Sequence, residues 1–298
     1  MALTPTIYYE LREKLLSKSD EAVEALKAAS ERVYRGSVHG DIIAQVWQLF
    51  GDKPLFSAMQ ANKLGAKYAY MWKEGFFPAT AQEMADPNWE ISYTRHTGNS
   101  WNADDNYELV GRAAKAFAEE AGRAMTIPGS APGKRPKVGK QRLFNMRTIA
   151  QNLVSFATPV VGETTSRVGA LKVQFEAAKE PSEFLAIGRQ ASETLGVGLT
   201  TAFHGLCDMG FEVIKPDMHA ARSVCYFGSV TSELGVSDPN KYLGRDANKA
   251  EVVSAGVLLA RQINPLPEFE GYSCREVDAV LLWASKSELI FDFPRAAQ

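Results

Sequence analysis

Cysteine is scarce: Cys207, Cys225 and Cys274 are the only three in 298 residues, too few for a disulfide framework. They are also too few and too widely spaced for an iron–sulfur cluster held by four cysteines. The four histidines, His39, His96, His204 and His219, lack metal-ligand spacing, so no zinc or iron site is expected. No apolar run is long enough to span a bilayer. Met-Ala-Leu-Thr-Pro-Thr-Ile-Tyr-Tyr-Glu at the start has no basic segment leading into an apolar core, which gives the expectation of a cytoplasmic chain without membrane partners. An excess of positive charge is missing too. The formal net charge is −2, so any nucleic-acid contact must come from a local cationic face rather than from the molecule as a whole. Repeats and low-complexity tracts are absent. What remains is 45% apolar and 23% charged, the balance of a globular protein with room for one large domain or two lobes around a cleft.

Helical periodicity dominates. Ile7 to Leu16 forms one expected helix. A second begins at Ser19-Asp20-Glu21 and carries Val23, Leu26 and Ala29 inward. His39 to Leu49 follows, with Ile42, Ile43, Val46 and Leu49 on one face. Phe56 to Trp72 fits a helix ended by Gly75-Phe76-Phe77-Pro78. Thr80-Ala81-Gln82-Glu83 has the form of a capping box for a short helix ending near Asp86-Pro87. Asn88 to Ala103 is aromatic and polar, with room for one short strand, and Asp105 to Met125 returns to a helical pattern.

Composition then shifts. Thr126 to Gly139 holds three prolines and three glycines, a linker signature. Lys134, Arg135, Lys137, Lys140, Arg142 and Arg147 fall in or just after it with no acid between them, forming the strongest cationic patch in the chain. A basic loop of this kind is either plain solvated surface or a contact for phosphate. Two interrupted helices fill Leu143 to Phe175, and Pro181-Ser182-Glu183 opens another. Later, Tyr226 to Asp246 reads as loop, Lys249 to Ile263 as helix, and Ser273-Cys274-Arg275-Glu276 as a capping box leading into Val277 to Trp283. Cys207 and Cys225 fall on apolar faces and read as core.

The most informative stretch is 193–222. Phe184, Ile187, Ala191 and Leu195 recur at helical steps before Gly196-Val197-Gly198, and Leu199, Ala202, Phe203 and Leu206 recur after it. Two amphipathic helices therefore meet at a glycine bend. Glycines on either side of Val197 permit positive φ and the close approach of another molecule. The amides from Gly198 to Thr200 open a helix whose first N–H groups have no internal partner and favour an anion. Such a seat docks phosphate without reading sequence; an ordinary helical hairpin accounts for the bend equally well. Seventeen residues after Thr200, Asp217 stands in Lys215-Pro216-Asp217-Met218-His219-Ala220-Ala221-Arg222, where the following alanines make it a candidate N-cap.

Gly196, Val197, Gly198, Thr201, Ala202, Asp217, His219 and Arg222 together resemble the motif of the helix-hairpin-helix DNA glycosylase superfamily, the group of endonuclease III, adenine glycosylase and 3-methyladenine glycosylase. Thr194 departs from the pattern, standing where the family has leucine. The likeness covers about thirty residues.

The resemblance implies an all-α, mostly helical fold of two lobes with a cleft between them. The regions are 1–128 (helical), 129–142 (basic linker) and 143–298 (glycosylase-like), with closing helices packed behind the motif and returning toward the first lobe. It implies that Asp217 is the catalytic carboxylate beneath the scissile N-glycosidic bond. Leu195, Gly196, Val197, Gly198, Thr200 and Lys215 would contact double-stranded DNA, with Lys134, Arg135 and Lys137 as a second contact. Family members that cut the strand carry a lysine two residues after the second hairpin glycine. Here that position is Thr200, which cannot form a Schiff base, so a monofunctional glycosylase acting as a monomer is expected. The resemblance brings no cofactor and no iron–sulfur cluster, and allows a monovalent cation at the hairpin. Trp72, Phe76, Phe77, Tyr93 and Trp101 are candidates for gripping an extruded base, or are core and loop anchors. Gln151 and Asn152 are candidates for filling the gap it leaves. The target base stays open, as does the role, base excision repair or restriction-like antiphage defence against modified DNA. A noncatalytic DNA-binding protein that uses the hairpin as a phosphate clamp is the alternative reading, and a helical protein unrelated to DNA is a third.

Overall fold

The computed structural model describes residues 3–31, 42–51, 80–85, 148–153, 156–157, 167–263 and 273–295. Of these, 78% are helical and none lies in a strand, so the architecture is all-α. In chain order the helices are α1 (Pro5–Lys18), α2 (Asp20–Glu31), α3 (Ile42–Phe50), α4 (Ala81–Ala85), α5 (Arg167–Ala177), α6 (Pro181–Leu195), α7 (Leu199–Asp208), α8 (Met218–Tyr226), α9 (Glu233–Ser237), α10 (Pro239–Tyr242), α11 (Asp246–Gln262) and α12 (Ser273–Lys286), followed by a 3-10 turn at Leu289–Asp292. Among the described residues no helix is long and apolar enough to cross a membrane. The chain divides into two compact units. One comprises Met1–Gly36, Val168–Glu193 and Gly198–Gln298, and the other Ser37–Arg167 with Thr194–Val197.

The first unit is built around α12, which packs against α1, α2, α8 and α11. Val277, Val280, Leu281 and Ala284 bury its apolar stripe, consistent with the sequence pattern. Polar ties fix its direction. Arg12 Nε donates to Glu276 Oε1 at 2.8 Å in a buried ion pair, and Ser223 Oγ donates to the Leu281 carbonyl at 3.2 Å. Glu276, expected to serve a capping box, ties α12 to α1.

The two arms of the glycine bend pack as the periodicity predicts: Phe184, Ile187, Ala191, Leu195, Leu199, Ala202, Phe203 and Leu206 are all buried. Phe175 anchors this layer, its ring centroid 6.3 Å from those of Phe184 and Phe203 and 6.4 Å from that of Phe211. Gly188 lets the arms close, because a Cβ there would collide with the Phe203 ring. Arg261 on α11 donates through Nη2 to the Phe175 carbonyl at 3.0 Å and the Glu176 carbonyl at 3.1 Å, meeting the orphan acceptors at the end of α5.

Boundaries and faces differ from expectation in several places. On α2 the inward residues are Ala22 and Leu26, while Val23 is half-buried. On α3, Trp47 and Phe50 join Val46 and Leu49 in the core, and Ile43 is half-buried. Helix α11 begins at Asp246, three residues before the expected start at Lys249, because Asp246 and its neighbours form a polar first turn. The stretch read as loop contains α9 and α10, each started by a side-chain cap: Ser232 accepts from Gly235 N and Asp238 from Lys241 N. Their shortness hides them from periodicity.

In the second unit, α3 packs on α4. The expected Thr80 cap is present, with its Oγ1 accepting from Glu83 N at 3.2 Å. Residues 148–153 are helical, and Ile149, Ala150 and Leu153 are buried. The expected elements over 56–72, 88–103 and 105–125 and the linker at 126–142 lie outside the described residues.

Candidate functional site

Two helix N-termini carry the residues singled out in the sequence. The first is the start of α7. Gly196 has φ +68°, a left-handed conformation that favours glycine. A Cβ there would also lie 2.9 Å from Thr148 Cγ2 and 3.0 Å from Asn152 Nδ2. Gly198 differs: it is the N-cap, with φ −66° and ψ 150°, and no side chain caps the helix. A Cβ on Gly198 would meet no atom within 4 Å. Neither backbone conformation nor internal packing therefore requires glycine at 198, and no side chain of the cap residue occupies the start of α7. Thr200 is half-buried at the second position of the helix.

The second is the start of α8, where Asp217 is the N-cap with φ −103° and ψ 178°. Its Oδ1 accepts from His219 N at 2.9 Å and Ala220 N at 3.0 Å. Capping therefore consumes one oxygen. The other, Oδ2, lies 3.4 Å from Lys215 Nζ, and the Asp217 side chain keeps 16% of its surface exposed. A carboxylate with one oxygen fixed to a helix holds the other, here beside the Lys215 ammonium, in a set orientation.

Lys215, read from the sequence as a phosphate contact, places its ammonium 3.4 Å from Asp217 Oδ2. Burial acts to lower its pKa, but Asp217, Asp278 and Asp208 outweigh that and hold it above the ordinary lysine value. Its backbone N donates to Asp278 Oδ1 at 2.8 Å. Burial, reinforced by the charge of Asp217, pushes the Asp278 carboxyl up to about 7. Asp208 at the end of α7 faces Arg275 Nη2 at 3.8 Å and His204 Nε2 at 3.5 Å. His219 Nδ1 lies 3.2 Å from Ser285 Oγ, and burial holds its imidazole below the ordinary value against the pull of Asp217. Arg222 is half-buried one turn along α8.

The sequence reading missed Asp278 and Asp208. Asp278 had a signal: it interrupts the apolar run Val277 to Trp283, where an unpaired charge would be costly. Cys207 and Cys274 are buried, and desolvation raises both thiols well above their usual value, as expected of core cysteines. Among the described residues no group of three or more His, Cys, Asp or Glu is arranged to hold a metal ion.

Gln151 is exposed and donates through Nε2 to the Ala85 carbonyl at 3.4 Å, whereas Asn152 is half-buried beside Gly196. Leu195 is buried and Val197 half-buried. Trp72, Phe76, Phe77, Tyr93, Trp101, Lys134, Arg135 and Lys137 lie outside the described residues. No family model matches the sequence, nor does any curated protein or any solved structure.

Proposed function

We propose that this chain is a monofunctional DNA glycosylase of the helix-hairpin-helix type, which extrudes an altered base and hydrolyses its N-glycosidic bond to leave an abasic site. The observation that carries the reading is the division of labour within Asp217, one oxygen held by two helix amides and the other left to Lys215 Nζ at 3.4 Å, on a side chain that keeps 16% of its surface exposed. In the reaction the C1′–N bond breaks with its electron pair leaving on the base. Positive charge builds on the sugar, and the Asp217 oxygen opposes it more strongly in the transition state than in the ground state. The same oxygen orients the water that forms the new C1′–O bond, and the proton lost by that water balances the one gained by the departing base. Thr200 supplies no amine, so the strand stays intact.

In this reading the bare start of α7 seats a backbone phosphate, and Lys134, Arg135 and Lys137 add a second contact. The two lobes of the superfamily would form the cleft for the base. Repair and restriction-like defence both remain compatible roles. A second reading, a noncatalytic phosphate clamp, draws its support from Gly198, whose open face would serve binding without chemistry.

Oligonucleotides carrying a panel of altered bases, treated with alkali after incubation, separate these readings. The glycosylase yields alkali-labile abasic sites on at least one substrate, and Asp217→Asn abolishes them while DNA affinity stays. A clamp releases no base in either form. Strand cleavage without alkali would contradict the role given to Thr200.

A further inference from the structure

Asp217 does not hold its place alone. The segment Met209 to Pro216 between α7 and α8 reaches Asp217 through a chain of hydrogen bonds. Asp278 Oδ1 on α12 accepts the Lys215 N–H at 2.8 Å, and the Lys215 carbonyl accepts the Asp217 N–H at 2.9 Å. Pro216 between them is buried and its ring fixes φ, so the two bonds act on a stiff link. Lys215 Nζ, on the same residue, faces Asp217 Oδ2. Helix α12 is itself tied to α8 by Ser223 and to α1 by Arg12.

On the glycosylase reading above, we infer that Asp278 is a positioning residue, which anchors the Lys215 backbone to α12 and thereby sets where the reactive oxygen of Asp217 stands. It contacts no substrate. Its contribution is to hold a carboxylate within the tolerance that an oriented transition state demands. The half-buried carboxyl inside a run of apolar residues is thus explained by the backbone donor it accepts rather than by an ion pair alone.

Three substitutions test this. Asp278→Asn keeps an oxygen that can accept from Lys215 N, Asp278→Ala removes it, and Asp278→Leu removes it while preserving volume, in case alanine unfolds the protein. With the full chain and the altered-base oligonucleotide that wild type processes, kcat should fall about tenfold to a hundredfold in the alanine or leucine variant. KM should stay unchanged, and asparagine should restore kcat to within about threefold of wild type. Amide hydrogen exchange across 215–220 gives a readout independent of activity: protection at Lys215 should survive in the asparagine variant and fall at least about tenfold in the leucine variant. Wild-type kcat in the leucine variant, or unchanged protection at Lys215, would overturn the inference. If wild-type protein releases no base from any substrate, the proposed activity fails, and the exchange measurement still decides whether Asp278 anchors the segment.

Discussion

The starts of α7 and α8 solve the same problem in opposite ways. Both leave helix amides without internal partners. At α8 the chain fills the vacancy itself, with Asp217 Oδ1 on two amides. At α7 the cap is Gly198, with no side chain on the amides and open space where a Cβ would be. A helix that brings its own anion gains stability from it; a helix that brings none gives up that gain, worth a few tenths of a kcal/mol for serine over glycine. The contrast teaches that a cap's cost to the fold and its use to a ligand can be read separately. On the proposed function the bare terminus would take an anion from outside, and the filled one would supply an anion.

Converting the filled cap tests the contrast most severely. Asp217→Asn keeps an oxygen for His219 N and Ala220 N, so the helix should survive, with a melting temperature within a few degrees of wild type. On the proposed function the charge that would stand opposite the sugar is gone, and kcat for base release should drop by about a hundredfold to a thousandfold. Equal rates for the two proteins would remove Asp217 from the chemistry.

Next comes the support behind that cap. Asp278 has a carboxyl pushed from 3.8 up to about 7, so the folded chain holds its proton more tightly than the unfolded chain. Between those values the unfolded state binds fewer protons, and stability falls as pH rises until the folded carboxyl has ionised. Asp217, Lys215, Asp208, Cys207 and Cys274 all face it electrostatically. Asp278→Asn cannot ionise. Its advantage over wild type in urea unfolding should therefore grow from pH 4 to pH 8, by at most about 4 kcal/mol. Parallel stability profiles for the two proteins would show that this carboxyl is not desolvated.

Much of this was legible before any coordinates. The bend, both of its arms, the burial of Cys207 and Cys225 and the cap at Asp217 follow from short-range rules: glycine geometry, helical steps and the preference of aspartate for N-caps. The partners of Asp217 were not legible, because Asp278 lies sixty-one residues away and only tertiary packing brings α12 beneath Lys215. The ion pair of Lys215 with Asp217 was hidden for the same reason. A lysine near a candidate phosphate seat looks like a phosphate ligand until the carboxylates around it are known. Helices α9 and α10 went unseen because five- and four-residue helices have no period to detect.

The two glycines of the bend differ from each other as the two caps do. At Gly196, φ +68° and the nearness of Thr148 both oppose a side chain. Gly196→Ala should therefore cost about 1–2 kcal/mol of stability, seen as a lowered urea midpoint at unchanged slope. A neutral result would mean that the bend relaxes readily and that glycine there is incidental.

Gly198→Ser is the finest test, because fold and ligand pull in opposite directions. Serine has room, since a Cβ meets nothing within 4 Å. The backbone, with φ −66° and ψ 150°, already suits an N-cap, and a hydroxyl there can accept from the second or third amide. The folded protein should be unchanged or more stable by a few tenths of a kcal/mol. If those amides exist to receive phosphate, the hydroxyl competes for them and its carbon stands in the path of approach. Affinity for duplex DNA should then weaken by about threefold to tenfold, with a shallower dependence on salt. A serine variant that is both steadier and weaker-binding would show that stability at this cap is forgone for the ligand. Unchanged affinity would make residue 198 an ordinary hairpin glycine and leave Asp217 without a partner terminus.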